Sequence, residues 1–591
     1  MLKYESSYRE KFKPFIRVYD TELKRSKSIE IDNTYEYFMP YSKGCYTYVN
    51  DPSLKLEKFI GSYKDSKDQY GVFNPIDRYV REHFWKTGYN ETPRTFYIDI
   101  ETRSGQSFIT NEYDNKKIKI RKLHKDDIKT VKEIKELYKD NFDEYEFFDE
   151  TDNTWKSLKE CEYLKQNKGF PTPDLALEEI CLIQFFDSLT ETMYVLGLKD
   201  FKLQKDYKTD YELKYLKFDN EYDMLDAYLK IFKKMDPLIV YAWNGDNFDF
   251  PYIFNRLKNL GFETNRMSNY GTVTLEKELD EFNFSSHGHY YLDLMKVFKK
   301  FAFILLPSYS LDNVAKKELK ESKVEHNEFI TFDSFYTGKD YEISETPYTD
   351  KVREEIRQLK IAERDGISFD ENRLQELLQF QFVWYGIQDV MLLKKIDEKR
   401  SLTSILISIS SMMGCSLGDA MATVRPWGCG LKNIYYERGL VCPKNEERDS
   451  PNVVGGYVRD PQVGKFKWVM SGDVNSMYPM LSIKGFNMSP DTFIPIHRLE
   501  SDLRQHILTY FTGQDEGKLL KYSDDVWDKT KELLKKYNVG LGINGAVFDN
   551  SKLGILAETV NEIYLGRKKD KKTMLKYEQQ AEIIKEILRK C

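Results

Sequence analysis

Short runs rich in β-branched and aromatic residues punctuate the chain, and their spacing predicts most of its elements. Phe15–Tyr19 and Tyr35–Met39 read as strands set between turn residues. The texture becomes more regular from Arg94. Thr95–Ile100, Ile180–Phe186, Thr192–Leu198 and Pro237–Trp243 are apolar runs of strand length, and Phe250–Leu260 carries a helical period. Strands followed by helices predict an α/β domain. Residues 106–168 are charged with little apolar alternation, which predicts a surface insertion, part helical, between the first two of those strands. Residues 363–400 have helical periodicity. A further β-containing region begins near residue 450 at Gly455–Gly456 and includes Lys467–Asp473. Leu556–Lys590 reads as one long amphipathic helix.

Composition narrows the classes. A chain of 591 residues exceeds the size of a single core, so several domains are expected. Hydrophobic residues at 41% and charged residues at 31% exclude wholesale disorder. The longest apolar run, about Phe301–Leu306, is far too short to cross a bilayer, and the charged start of the chain is unlike a secretory leader. No membrane and a cytoplasmic location (the host's, for a viral protein) are the expectations. Cysteines 45, 161, 181, 415, 429, 442 and 591 form no CxxC pair, which argues against zinc and against a disulfide framework. A net charge of −6 does not exclude a nucleic-acid ligand, because 90 Lys and Arg can still line a local basic groove.

Three short patterns carry chemistry. Asp99 and Glu101 are two apart in a strand, so both carboxylates leave the same face; alone they also suit an exposed strand end. Trp243-Asn244-Gly245-Asp246-Asn247-Phe248-Asp249 follows an apolar strand and enters a helix, which places polar groups at a sheet edge or makes an ordinary capped turn with Asp249 as N-cap. Tyr385 and Asp389 are four apart on one helix face, a spacing shared by many surface pairs.

Taken together, D-x-E, N-x3-F-D and Y-x3-D resemble the 3′–5′ exonuclease of family B DNA polymerases, and Lys299–Ala315 is similar to the T-even phage branch of that family. The resemblance implies that Asp99, Glu101, Asp249 and Asp389 hold two Mg²⁺, or Mn²⁺ in its place. It further implies that Tyr385 orients the attacking water and that Asn244 and Phe248 contact the terminal nucleotide. Hard oxygen ligands suit such ions.

Residues 468–481 (WVMSGDVNSMYPML) resemble motif A of the same family, D-x-x-S-L-Y-P-S. Asp473 would then bind metal at the end of a strand. Ser476 and Met477 would hold the triphosphate through backbone N–H groups, and Tyr478 would exclude a 2′-hydroxyl. Gly455-Gly456-Tyr457-Val458 resembles the family's loop between exonuclease and palm. Arg567 and Lys571, with Lys568, match the start of the fingers, where cations grip the triphosphate; a solvated helix face is the alternative that charge alone favours.

The resemblance implies a multidomain α/β and α+β chain. Its parts are an N-terminal β-rich domain (1–92, with a second segment about 401–445), an RNase H-like exonuclease domain (93–400) and a partial palm (446–553). A first fingers helix (554–591) follows. The patterns K-x3-N-x-x-Y-G and Y-G-D-T-D-S do not occur in these residues. The expectation is therefore the N-terminal subunit of a split DNA polymerase, acting on primer-template DNA and dNTPs. A separate C-terminal subunit would complete it, and a sliding clamp would be reached through that partner. A stand-alone exonuclease with a vestigial polymerase portion is the alternative.

Overall fold

The computed structural model describes residues 2–590 apart from 63–68, 86–92, 104–119, 124–145, 150–153, 158–170, 443–458, 514–518 and isolated positions. The chain divides into two compact units, Met1–Asp32 with Glu82–Pro426, and Asn33–Arg81 with Trp427–Cys591. The segment 1–92, expected as one domain, is thus shared between them.

In the first unit, β1 (Leu2–Glu10), β2 (Lys13–Asp20) and β3 (Arg25–Glu30) form an antiparallel sheet. Arg17 on β2 is fully buried. Its guanidinium donates to Glu5 at 2.8 Å and to the carbonyls of Gly288 at 2.8 Å and Asp236 at 2.9 Å, which ties this sheet to the rest of the unit. A charge so deeply buried persists only when paired and hydrogen-bonded in this way.

The centre of the unit is a six-stranded mixed sheet. Its strands are β4 (Thr95–Thr102), β5 (Ile180–Asp187), β6 (Thr192–Gly197), β7 (Glu212–Lys217), β8 (Ile239–Ala242) and β9 (Tyr290–Asp293), in spatial order β7-β6-β5-β4-β8-β9. The pairs β4–β5 and β5–β6 are antiparallel, and β6–β7, β4–β8 and β8–β9 are parallel.

The alternation of β4 decides what each face carries. Phe96, Ile98 and Ile100 pack with Ile183 and Phe185 of β5 against α1 (Glu221–Met235), which buries Met224, Leu225, Tyr228, Leu229 and Phe232, and against α2 (Asp249–Asn259). At roughly 1.5–3 kcal/mol per fully buried large apolar side chain, this layer is the main support of the sheet. Helix α1 starts where Asn220 accepts from the Asp223 N–H, and it ends with Lys233 and Lys234 near its carbonyls. Tyr97, Asp99 and Glu101 are left on the other face. There lies α4 (Glu371–Arg400), reached after α3 (Leu294–Phe301), and the Tyr97 hydroxyl donates to Asp397 of α4 at 2.6 Å. The helical period of 363–400 resolves into α4 and the end of a helix over Lys351–Arg364, separated where Gly366 takes φ +69°.

The second unit has a five-stranded sheet built from Tyr35–Pro40, Tyr46–Tyr48, Asp51–Gly61, Tyr70–Phe73 and Leu440–Val441. Arg81 makes a fork to Glu36 at 2.8 and 3.0 Å and lies 3.8 Å over the Tyr436 ring. A small sheet of Phe493–Ile494, Val539–Leu541 and Val547–Asp549 follows, then α5 (Ile555–Lys590).

Two expectations are corrected here. Lys467–Asp473 is not a strand. Among the described residues nothing pairs with it, and Trp468, Val469 and Met470 stand in solvent, so the ladder that a strand needs is missing. Within 106–168, the described residues are three short strands, Ile120–Leu123, Glu146–Asp149 and Thr154–Ser157, in one sheet. The helical part expected there lies outside the described residues, as does the glycine loop at 455–458.

Candidate active site

Period-two geometry on β4 and helical geometry on α4 bring carboxylates together. Ligand oxygens of Asp99, Glu101 and Asp389 all lie within 4.8 Å of one another. Asp249 opens α2, is buried, and feels the Asp99 charge. The helix N-cap is Phe248 rather than Asp249, and it makes no capping hydrogen bond with its side chain. Oxygens of Glu101, Asp249 and Asp389 are buried without a hydrogen-bond partner among the described residues.

Electrostatics follows from that crowding. Burial raises the pKa of Glu101 well above the carboxylate range, and the charges of Asp99 and Asp389 add to it. Burial raises Asp249 likewise, with Asp99 adding. Burial also raises Asp99, although Lys323 pulls it down. Asp389 is pushed up to about 7 by burial against the same pull. Buried acids with unpaired oxygens that repel one another fit a divalent cation, whose charge would relieve all of these costs.

Lys323 sits against the cluster. Its ammonium is 2.5 Å from Asp389 and donates to the Tyr385 hydroxyl at 3.0 Å. Burial would lower its pKa, but the charge of Asp389, then Tyr385 and Asp99, outweighs burial and holds it well above the usual value. Sequence reasoning missed this residue. It lies in a polar connection between helices, where one lysine among many carries no signal. The Tyr385 ring stacks on His326 with centroids 5.1 Å apart. Burial, then Asp389 and Glu101, keep its hydroxyl protonated.

The loop after β8 brings the second motif to the sheet edge. Asn244 adopts φ +61°, its N–H donates to Asp293 at 3.0 Å, and its side-chain oxygen accepts from Asn247 at 3.0 Å. Phe248 is half-buried beside Tyr252.

Two family models match this chain: the exonuclease domain of DNA polymerase family B over residues 77–314, and DNA polymerase family B over residues 425–590. The chain belongs to DNA polymerase family B. It is similar to the DNA-directed DNA polymerase of Enterobacteria phage T4, 25% identical over 74% of this chain and 45% of that protein. It is also similar to that of Escherichia phage RB69, 24% identical over 71% of this chain and 42% of that protein. DNA polymerase 1 of Pyrococcus abyssi is 26% identical over 46% of this chain and 31% of its own length. The chain thus spans less than half the length of these relatives.

The residues that resemble motif A have a different setting from Asp99, Glu101, Asp249 and Asp389. Asp473 is exposed in a stretch with no regular secondary structure, unpaired with any strand among the described residues. Ser476 caps a single turn, Met477–Met480, with φ +53°, and Tyr478 is 78% exposed. Arg567, Lys568 and Lys571 lie on α5, all exposed. Three carboxylates and Lys323 are therefore gathered at the first site, while Asp473 and the three cations of α5 all stand exposed.

Proposed function

We propose that this chain is a 3′–5′ exonuclease that removes nucleotides from single-stranded DNA ends, proofreading synthesis by the polymerase to which it contributes. The observation that carries the reading is the trio Asp99, Glu101 and Asp389, with a buried oxygen of Glu101 and of Asp389 unpaired among the described residues. Asp99, Glu101, Asp249 and Asp389 would hold two divalent cations, Mg²⁺ or Mn²⁺. When bound, these supply a water made acidic and charge stabilisation for the departing 3′-oxygen. The protein's own share is placement. The Tyr385 hydroxyl, protonated and held by Lys323, orients the water, and Asn244 and Phe248 line the approach of the terminal nucleotide. Phosphate contacts by Lys and Arg make DNA binding fall with salt. The substitution pair Asp99→Ala with Glu101→Ala is expected to abolish Mg²⁺-dependent degradation of single-stranded DNA; an unchanged rate refutes the assignment.

For nucleotidyl transfer, we propose that Asp473, Ser476, Met477, Tyr478, Arg567, Lys568 and Lys571 form part of a polymerase site. Polypeptide outside these 591 residues would complete it, as a separate C-terminal subunit through which a clamp could be engaged. The state of motif A supports this: Trp468 and Met470 are 97% and 96% exposed, and apolar side chains of that size are stable when covered. Primer extension by the chain alone would overturn the reading. Failure of the stoichiometric mixture with the complementing chain would favour an exonuclease with a vestigial polymerase portion.

A further inference from the structure

One buried polar side chain beside the carboxylates has no place in the account above. Gln184 is the polar residue within β5, whose sequence Ile180–Asp187 (ICLIQFFD) is otherwise apolar until its last residue, and it is completely buried. In the β4–β5 register it lies directly opposite Asp99, with Leu182 opposite Glu101 and Phe186 opposite Tyr97. Directly opposed residues share a face, so Gln184 is on the α4 side with the carboxylates. Neither its amide nitrogen nor its amide oxygen has a hydrogen-bond partner among the described residues.

The helix above accommodates this amide by giving up a side chain. A Cβ built on Gly386 of α4 would fall 1.5 Å from the Gln184 nitrogen and 2.3 and 2.4 Å from the amide carbon and oxygen. Gly386 follows Tyr385 and precedes Asp389 by three residues. The amide is therefore pressed between Asp99 on the sheet and the turn of helix that carries Tyr385 and Asp389. A glycine inside a helix and an unpaired buried amide are each unfavourable for folding. Their coincidence next to three carboxylates marks a functional constraint rather than packing, since an apolar residue would fill the same space.

We propose that Gln184 is a positioning residue for Asp99, with Gly386 as the gap that admits it. Its amide, opposite Asp99 in the ladder, fixes which carboxylate oxygen is turned toward the cation site. This rests on the exonuclease reading above. Outer partners of metal-ligating carboxylates typically contribute about 10–100-fold to metal affinity or activity.

The test is Gln184→Leu, with Gln184→Met as the alternative should the first fail to fold, and Gly386→Ala as an independent way of displacing the amide. Three readouts are compared with wild type: Mn²⁺ binding without DNA, followed by the electron paramagnetic resonance of free Mn²⁺; kcat and KM for single-stranded DNA; and the Tm of the metal-free protein. The expected result is Mn²⁺ affinity weakened about tenfold or more and kcat lowered with KM for DNA unchanged, with a Tm equal to or above wild type for the Gln184 variants, on which the stability comparison rests. Mn²⁺ affinity and kcat within about twofold of wild type would overturn the proposal. So would losses that track a fall in Tm, which mark a structural role. Hydrolysis of DNA at the wild-type rate by the chain carrying Asp99→Ala and Glu101→Ala would instead overturn the exonuclease reading itself.

Discussion

The ammonium of Lys323 lies 2.5 Å from a carboxylate oxygen of Asp389 and reaches the Tyr385 hydroxyl four residues away on the same helix. A single cation thus partly neutralises a cluster of acids that burial would otherwise hold protonated.

Lys323→Met removes that cation. Asp389 is left in a buried site with its charge unmatched, although the lysine side chain is 31% exposed and water lessens the cost. The expected loss is about 1–3 kcal/mol of metal-free stability at pH 8. It should shrink near pH 5, where Asp389 takes up a proton. Millimolar Mg²⁺ should raise the Tm of this variant more than that of wild type. Calorimetry at the two pH values, with and without Mg²⁺, checks this.

Metal binding should depend on pH through Asp389. Burial pushes its pKa up to about 7, and the proton must leave before a cation can be held. Apparent Mn²⁺ affinity is therefore expected to rise from pH 6 through pH 7 as Asp389 ionises, and to keep rising while the raised carboxyls of Glu101 and Asp249 lose their protons. Titration of Mn²⁺ across that range, in buffers of matched ionic strength, measures it.

Glu101→Gln should separate stability from activity. The folded-state pKa of Glu101 is raised well above its ordinary value by burial, then by Asp99 and Asp389. A raised acid favours folding fully below its unfolded pKa, and this contribution is lost as pH rises through the folded value. Glutamine has no proton to lose. The variant is expected to gain about 1–2 kcal/mol without metal at pH 8 and nothing near pH 4, while hydrolysis disappears. Urea unfolding at both pH values and a nuclease assay check the pair of outcomes.

Tyr385→Phe deletes only a hydroxyl. Lys323 keeps its contact with Asp389, so Tm and Mn²⁺ affinity should be unchanged. The rate constant for hydrolysis should fall about 10–100-fold. Single-turnover kinetics at saturating metal isolates that step.

Asp473→Ala should leave the Tm and the exonuclease rate at wild-type values, because Asp473 is exposed. It should abolish primer extension once the complementing chain is supplied. Parallel assays of the two activities on one preparation test this.

Local periodicity explains what was legible in the sequence. Asp99 and Glu101 needed only the alternation of one strand, and Tyr385 and Asp389 only one helical turn; both spacings survive folding intact. The apolar runs that became β4, β5, β6 and β8 are buried on both faces, so their composition alone marked them. Lys323 and Gln184 were not legible as site residues. The first is one lysine in a polar connection, and the second gains meaning from Asp99 and Gly386, 85 and 202 positions away in sequence. Lys467–Asp473 failed as a strand for the opposite reason. Its pattern suits a buried strand, but strands form in pairs, and no described residue offers a ladder to it.

The exposure of Trp468 has an optical consequence. Its indole, one of seven in the chain, is 97% solvent-accessible. Such an indole emits at the red end of the tryptophan range and is open to collisional quenchers. A polypeptide that closed over motif A would shift that emission to the blue and shield it. Assembly could then be followed from the intrinsic fluorescence of the unlabelled protein, with Trp468→Phe as the silent control.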